Sequence, residues 1–385
     1  MQVLSNRSIN HYSLLSVTLV SSMSSLSTSL YFDIGSNLLD TKYNGEYFGK
    51  TRHPPDLSSV LSRTFAPSGP CGVVICTAGT VDEAGKTLDL AKGYDSMYST
   101  CGVHPTRSEG EEGELEGMYE LVMGNNRVIN PGGKIVAVGE LGLDYDRLEF
   151  SNKEVRGNEG WSETTSEGRQ QKHCIIFLQN EQPSTRRFAP RLTLIPNSFR
   201  DSLRPSQSQL SKLNEQLDMN ERFIAGKVDL PLFLHSRSCG EDLYDILSSR
   251  RASWSTGVVH SFDGTKELAD KYLSLGLMIG VNGCSFRTPE NLATIEGIPM
   301  DRLLIETDSP YCDIRSTHAG YKYVSTEFDC VKDKKWVEGC MVKGRNEPCR
   351  IVQVAECLAG VKGVEVEDVK KMTRENGRRL FLGDV

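Results

Sequence analysis

The sequence predicts an α/β fold, a (β/α)8 TIM-like barrel, on three observations. Eight short apolar, β-branched runs recur along the chain, each ending in polar or glycine residues and followed by a helix-like stretch. Their starts lie near 31, 73, 97, 135, 231, 256, 276 and 302, so six of the seven intervals span 20 to 42 residues, the length of a strand, a crossover helix and two loops. The runs are apolar throughout, as strands covered by helices must be. An open doubly wound sheet would carry an early glycine-rich phosphate turn, and no G-x-G-x-x-G stands there.

Taken in order, "YFDIGSN" (31–37) and "GVVICTAG" (72–79) stop at small polar residues, and "SMYSTCGVHP" (96–105) stops at His-Pro. "IVAVGELGLD" (135–144) meets Glu140 after five small or branched residues. "LPLFLHSR" (230–237) and "GVVHSFDG" (257–264) each end in a histidine, "GLMIGVNG" (276–283) ends in Asn-Gly, and "RLLIETDSP" (302–310) ends in acids before proline. The long fourth interval, about 96 residues, holds a segment from 156 to 208 that has neither helical nor strand period and is rich in Ser, Arg, Gln and Pro. It reads as a poorly ordered insertion in a βα loop. "SNKEV" joined to "QLSKLNEQLD" would make one continuous helix, which suggests translated intron sequence; sequencing the transcript decides this.

Two regions stand apart from the barrel, which spans 31–385 with that interruption. The first 30 residues carry ten serines, one arginine and no acid, a composition compatible with an organelle transit peptide, a poor signal sequence or a disordered extension. Mitochondrial or plastid targeting through this extension is therefore the alternative to a cytoplasmic or nuclear site. The net charge of −7 excludes a broad basic field, so a nucleic-acid partner would need local cations. Eleven scattered cysteines without a C-x-x-C pair suit free thiols rather than a disulfide framework. They read as buried small apolar residues, with Cys239 near the mouth. No run approaches the roughly 18 apolar residues of a membrane span.

Catalytic residues of such barrels project from the carboxyl ends of the strands. There stand Glu140 on strand four, His235 on strand five, His260 on strand six and Asp308 on strand eight. One such residue is unremarkable, but four from four strands are hard to explain as core packing, because each would bury a polar group without a partner. A mixed N/O set of this kind suits one or two divalent ions, Mg, Mn or Zn.

The motifs "DIGSNLLD" (33–40), "GVHPT" (102–106), "GELGLDYDR" (139–147), "LPLFLHSR", "GVVHSFDG" and "IETDSPY" (305–311) together resemble the TatD family of metal-dependent deoxyribonucleases, and "KGRNEP" (343–348) resembles its eukaryotic branch. The resemblance implies a barrel hydrolase that cleaves DNA phosphodiester bonds, most simply as a 3′-5′ exonuclease in DNA repair or degradation. It implies Glu140, His235, His260 and Asp308 as metal ligands, with Glu140 bridging two ions. The wider metal-dependent hydrolase superfamily has an H-x-H on strand one; Gly35 and Asn37 stand there instead. Asp33 or Asn37 then supplies an oxygen to a second metal, or merely shapes the strand-end turn. His104 contacts substrate phosphate or orients a neighbouring ligand. Arg147, Arg237 and Arg345 are candidates to grip phosphate, since guanidinium matches its geometry.

The expected chemistry is a metal that lowers the pKa of water and neutralises phosphodiester charge, with Asp308 orienting the nucleophile or taking its proton. Two other classes compete. A small-molecule amidohydrolase would favour the H-x-H and a strand-four lysine where this chain has Glu140. An inert barrel acting only through partners would follow if the insertion blocked the mouth. A metal-dependent assay on single-stranded DNA comparing the full chain with one lacking 156–208 separates these cases: cleavage confined to the shortened chain identifies the insertion as the block, and no cleavage by either favours the non-nuclease classes.

Overall fold

The computed structural model describes residues 30–66, 69–109, 113–147 and 207–383. Eight parallel strands form one sheet in sequence order: β1 (Tyr31–Ser36), β2 (Cys71–Cys76), β3 (Met97–Cys101), β4 (Ile135–Asp144), β5 (Leu232–Arg237), β6 (Gly257–His260), β7 (Met278–Val281) and β8 (Leu303–Ile305). The helices are α1 (Leu57–Phe65), α2 (Val81–Lys92), α3 (Glu114–Asn125), α4 (Gln207–Ala225), α5 (Asp242–Ser249), α6 (Lys266–Ser274), α7 (Pro289–Gly297), α8 (Ile351–Lys362) and α9 (Val366–Gly377). The expected barrel is therefore observed. Residues 1–29 and the 156–206 part of the expected insertion lie outside the described residues. Gln207 and Ser208, placed in the insertion by composition, are instead the first residues of α4. Among the described residues no helix is long and apolar enough to cross a membrane.

The local chemistry of the helices agrees with their positions. Thr80 caps α2 by accepting from the Glu83 amide, with Asp82 and Glu83 in the first turn and Lys92 in the last, the arrangement the helix dipole favours. Thr288 and Asn291 make a reciprocal capping box at the start of α7, where Pro289 occupies a position that needs no amide hydrogen.

The barrel closes beyond its last strand rather than at it. β8 is only three residues long, and the segment after it bonds to β1: Asp308 N donates to Gly35 O at 2.8 Å, Asn37 N to Ser309 O at 2.6 Å, and Ser36 bridges Ser309. Asp33 reinforces this seam from within. Fully buried, its carboxylate accepts from the Thr307 amide at 2.9 Å, the Thr307 hydroxyl at 2.6 Å and the Gly35 amide at 3.2 Å.

Two apolar layers result. A large cluster lies between strands and helices, with Leu88, Leu217, Leu243 and Leu358 facing Ile135, Val138 and Ile279. A smaller one fills the barrel interior and joins Phe32, Ile34, Ile75, Val136, Phe233, Val258 and Leu304 to Phe381. Phe381, from the last turn of the chain (Arg378–Leu382), stacks on Phe32 at 6.2 Å and tilts against Phe233 at 6.4 Å between ring centroids. It stoppers the barrel at the end opposite the strand carboxyl termini. Phe381→Ala leaves a cavity in this plug and should cost about 3–5 kcal/mol, read as a lower urea midpoint with an unchanged slope.

Candidate metal centre

Glu140 owes its position to an irregularity in β4. That strand pairs Gly139 with Phe233 and Leu141 with Leu234 of β5, so Glu140 is the extra, unpaired residue of a bulge, a device that re-aims a side chain. Glycines on both sides make it possible. A Cβ on Gly139 would lie 2.3 Å from Phe233 O, and one on Gly142 would lie 1.9 Å from His235 O. The strand continues past the bulge to Asp144, which is buried within the site.

Three ring nitrogens converge on one oxygen. His235 Nδ1, His260 Nε2 and His104 Nε2 lie 2.8, 2.6 and 3.3 Å from Glu140 Oε1, and His235 Nδ1 is 3.2 Å from His260 Nε2. Two imidazole nitrogens this close repel through their lone pairs unless a proton or a cation lies between them. Glu140, His235 and His260 offer ligand atoms within 4.8 Å of one another, and so do His104, Asp144 and His235, which makes two adjoining groups able to hold a metal ion. The residues therefore fit a divalent cation.

The electrostatics carry the same message. Burial resists ionisation of every group here, yet Glu140 is held well below the usual carboxylate range by His260 and His104. His260 is held well above the usual histidine range because Glu140 and Glu306 outweigh its burial. His235 is raised by Asp144 and Glu140 against the same penalty. In a metal-free site, protons on the imidazoles supply the positive charge that the carboxylates demand.

Glu306 was missed by the sequence reading, which took Asp308 as the acid ending strand eight. It directly follows β8, is fully buried, and approaches His260 Nδ1 at 3.4 Å while accepting from the Ser261 amide at 2.6 Å and the Asn282 amide group at 3.0 Å. Its other oxygen has no hydrogen-bond partner. A carboxylate behind an imidazole fixes ring orientation and tautomer. It also accounts for Gly35: a Cβ there would come within 2.8 Å of Glu306 Oε2, so the space that the first histidine of an H-x-H needs is filled by Glu306.

Asp308 faces the same cleft but stands apart from both metal-competent groups. Its backbone adopts a left-handed conformation, φ 51°, rare for a non-glycine residue. Oδ1 accepts from Asn37 Nδ2 at 2.8 Å and Oδ2 from the Cys312 thiol at 3.2 Å. Burial, with Glu306 and Glu140 nearby, pushes its pKa up to about 6 in spite of His260.

His104 is set as a donor. Its Nδ1 accepts from the Thr106 amide at 3.1 Å, which leaves the hydrogen on Nε2, towards Glu140, and burial lowers its pKa against the pull of Glu140. Asn37 bonds Asp308 on one side and accepts from the Thr77 hydroxyl at 3.0 Å on the other. Asp33 does not reach the cleft. Its carboxylate is spent on the seam, and burial pushes it up to about 8, so the expectation that it supplies a metal oxygen is corrected.

Arg147 and Arg237 line the cleft, tethered to Asp144 at 3.7 Å and Asp146 at 3.2 Å. Arg345 does not. It is fully buried, with Nη1 and Nη2 on the two Asp56 oxygens at 2.7 and 2.6 Å and Nη2 on Glu347 at 3.0 Å. A buried guanidinium held by two carboxylates cannot reach a phosphate; it fastens the loop after β1 to the carboxyl-terminal region. The cleft, about 700 Å³, is instead rimmed further by Lys42, Lys86, Arg107, Arg287 and Arg315, which single-residue inspection of scattered loops could not gather. Cys239 is buried beside Ser236, whereas Cys284 and Cys312 line the cleft. The site is braced from α4: Gln209 exchanges two hydrogen bonds with the backbone of Asp144, and Gln216, two turns on, does the same with Val103 beside His104.

The sequence profile of the TatD related DNase family matches residues 32–159 and 203–382. The chain belongs to the TatD DNase family. A TatD deoxyribonuclease of Schizosaccharomyces pombe is 33% identical over 359 residues, covering 91% of this chain and 95% of the relative. A solved TatD-family hydrolase from Entamoeba histolytica superposes with a TM-score of 0.71 at 29% identity, covering 92% of this chain and 99% of that one. A relative from Rahnella, named a 3′-5′ ssDNA/RNA exonuclease, is 26% identical over 91% of this chain and 97% of its own length. The family profile skips 160–202, within the segment at 156–208.

The TatD centre makes metal-free stability depend on pH with a definite sign. Raised histidines contribute stability that is complete below the ordinary histidine pKa, about 6.5, and is lost as pH rises through their folded values; Asp33, raised to about 8, acts in the same direction. In chelator the urea midpoint should fall between pH 6 and pH 9, and Glu140→Gln should flatten that fall. A saturating divalent cation should remove the part due to the histidines, because the cation takes the place of their protons, and leave the part due to Asp33, which lies outside the cleft.

Proposed function

We propose that this chain is a divalent-metal-dependent deoxyribonuclease acting from the 3′ end of single-stranded DNA. The observation that carries the reading is the convergence of His235, His260 and His104 nitrogens on Glu140 Oε1 at the base of a cleft rimmed by cations. The names of the S. pombe and Rahnella relatives support both the DNA substrate and the polarity.

Glu140, His235 and His260 hold the principal cation, and Asp144 with His235 borders a second position. Bound there, a divalent ion supplies Lewis-acid neutralisation of the phosphodiester and makes water nucleophilic near neutral pH. Asp308 accepts the proton of the attacking water at Oδ2, the part of a general base that a positioned carboxylate can fill. Asn37 holds the other oxygen of that carboxyl group so that Oδ2 faces the cleft. His104 donates Nε2–H to a phosphate oxygen once substrate displaces its contact with Glu140. Arg147 swings from the buried Asp144 and Arg237 from the exposed Asp146 to the phosphates on either side of the scissile bond, while Glu306 keeps the His260 ring in register.

Glu140→Ala and Asp308→Ala should each lower hydrolysis by roughly a thousandfold in Mg2+ or Mn2+, with far-ultraviolet circular dichroism unchanged. A 5′-labelled oligonucleotide should shorten one nucleotide at a time, and chelator should stop it. Activity retained by either variant in excess metal refutes the assignment.

A further inference from the structure

We propose that Cys284 and Cys312 form an oxidisable dithiol, a modification site at the rim of the cleft whose closure to a disulfide releases Asp308. The two sulfurs are 2.8 Å apart, about 0.8 Å from the ~2.05 Å of a covalent bond. They come from different βα loops: Cys284 from the short turn after β7 (Gly283–Phe286), and Cys312 from the segment after β8. Backbone packing holds the loops together, because a Cβ on Gly283 would lie 2.0 Å from Cys312 O. The capping box of Asn282 and Ser285 fixes the first loop, so neither sulfur has to travel with its backbone.

The pair is part of a polar chain. Arg287 Nη2 donates to Cys284 Sγ at 2.9 Å, Cys284 Sγ to Cys312 Sγ, and Cys312 Sγ to Asp308 Oδ2 at 3.2 Å. Both cysteines line the cleft, so a small hydroperoxide can reach the pair. Cys284 is the attacking sulfur, because the guanidinium of Arg287 beside it favours a thiolate, whereas the Asp308 carboxylate beside Cys312 disfavours one there. With hydrogen peroxide as oxidant, Cys284 sulfur attacks one peroxide oxygen and the O–O bond breaks. The departing hydroxide takes the thiol proton as water and leaves a sulfenic acid. Cys312 sulfur then attacks that sulfur, the S–O bond breaks, and the hydroxyl leaves with the Cys312 proton as a second water. The two sulfurs together lose two electrons, which the peroxide gains.

The disulfide has no S–H, so Asp308 Oδ2 loses its donor, and the Cys312 sulfur is drawn towards Cys284. The effect on hydrolysis rests on the role given to Asp308 above, whereas formation of the bond does not. Loss of a group that orients a site residue typically costs 10- to 100-fold.

The test uses the reduced full chain in Mg2+, treated with hydrogen peroxide, alkylated and digested without reductant. A Cys284–Cys312 cross-linked peptide is expected by mass spectrometry, with hydrolysis of single-stranded DNA reduced roughly tenfold and restored by dithiothreitol. Cys284→Ser should remove the cross-link and make hydrolysis insensitive to peroxide relative to its own untreated sample. Both thiols remaining alkylatable at a peroxide dose that oxidises other cysteines overturns the proposal, and so does a quantitative cross-link that leaves hydrolysis unchanged. A cross-link in a chain that shows no hydrolysis in either state upholds the modification site and counts against the nuclease reading instead.

Discussion

The contact on which the rest of this structure depends is the meeting of imidazole nitrogens at a single oxygen of Glu140. A carboxylate buried in a barrel mouth is costly unless positive charge is brought to it, and every nearby irregularity serves to bring it. The β4 bulge aims the side chain, and Gly139 and Gly142 give the neighbouring strand room to pass. Glu306 and Asp144 stand behind the histidines. The glutamines of α4 then fix the strand ends from outside. The result is a well of negative potential that needs positive charge from protons on the imidazoles or from a cation in their place.

That well sits inside a ring of opposite sign. The chain as a whole is acidic, −7, and acidity at this level discourages non-specific adhesion to a polyanion. Arg147, Arg237, Arg287 and Arg315 nevertheless share one cleft. Among the described residues, a nucleic-acid strand is attracted where the loops of the cleft gather these cations. Capture and chemistry are thereby confined to the same few nanometres of surface.

How much of this was legible in the sequence follows from which interactions are local. The eight strands begin within three residues of the starts read from the apolar runs, because burial on both faces writes itself directly into composition. Glu140, His235 and His260 were visible as polar residues where apolar ones were expected, and the structure brings them together. Glu306 was hidden because two acids end the same run and only three-dimensional position tells which one backs a histidine. Asp33 and Arg345 misled for a related reason. A carboxylate on a strand and an arginine in a motif look available until their partners, Thr307 in one case and Asp56 in the other, arrive from more than 270 residues away. The thiol pair was equally invisible, since nothing in the spacing of residues 284 and 312 marks them as neighbours.

The seam between β1 and the segment after β8 bears on synthesis. Asp33 emerges among the first residues of the barrel and Thr307 among the last, yet the loop that presents Asp308 takes its shape only when the two meet. The interior plug, Phe381, arrives later still. A growing or truncated chain therefore carries Glu140, His104, His235 and His260 without Asp308 held beside them. The order of translation is itself a safeguard: no fragment short of nearly the whole chain possesses an assembled hydrolytic centre.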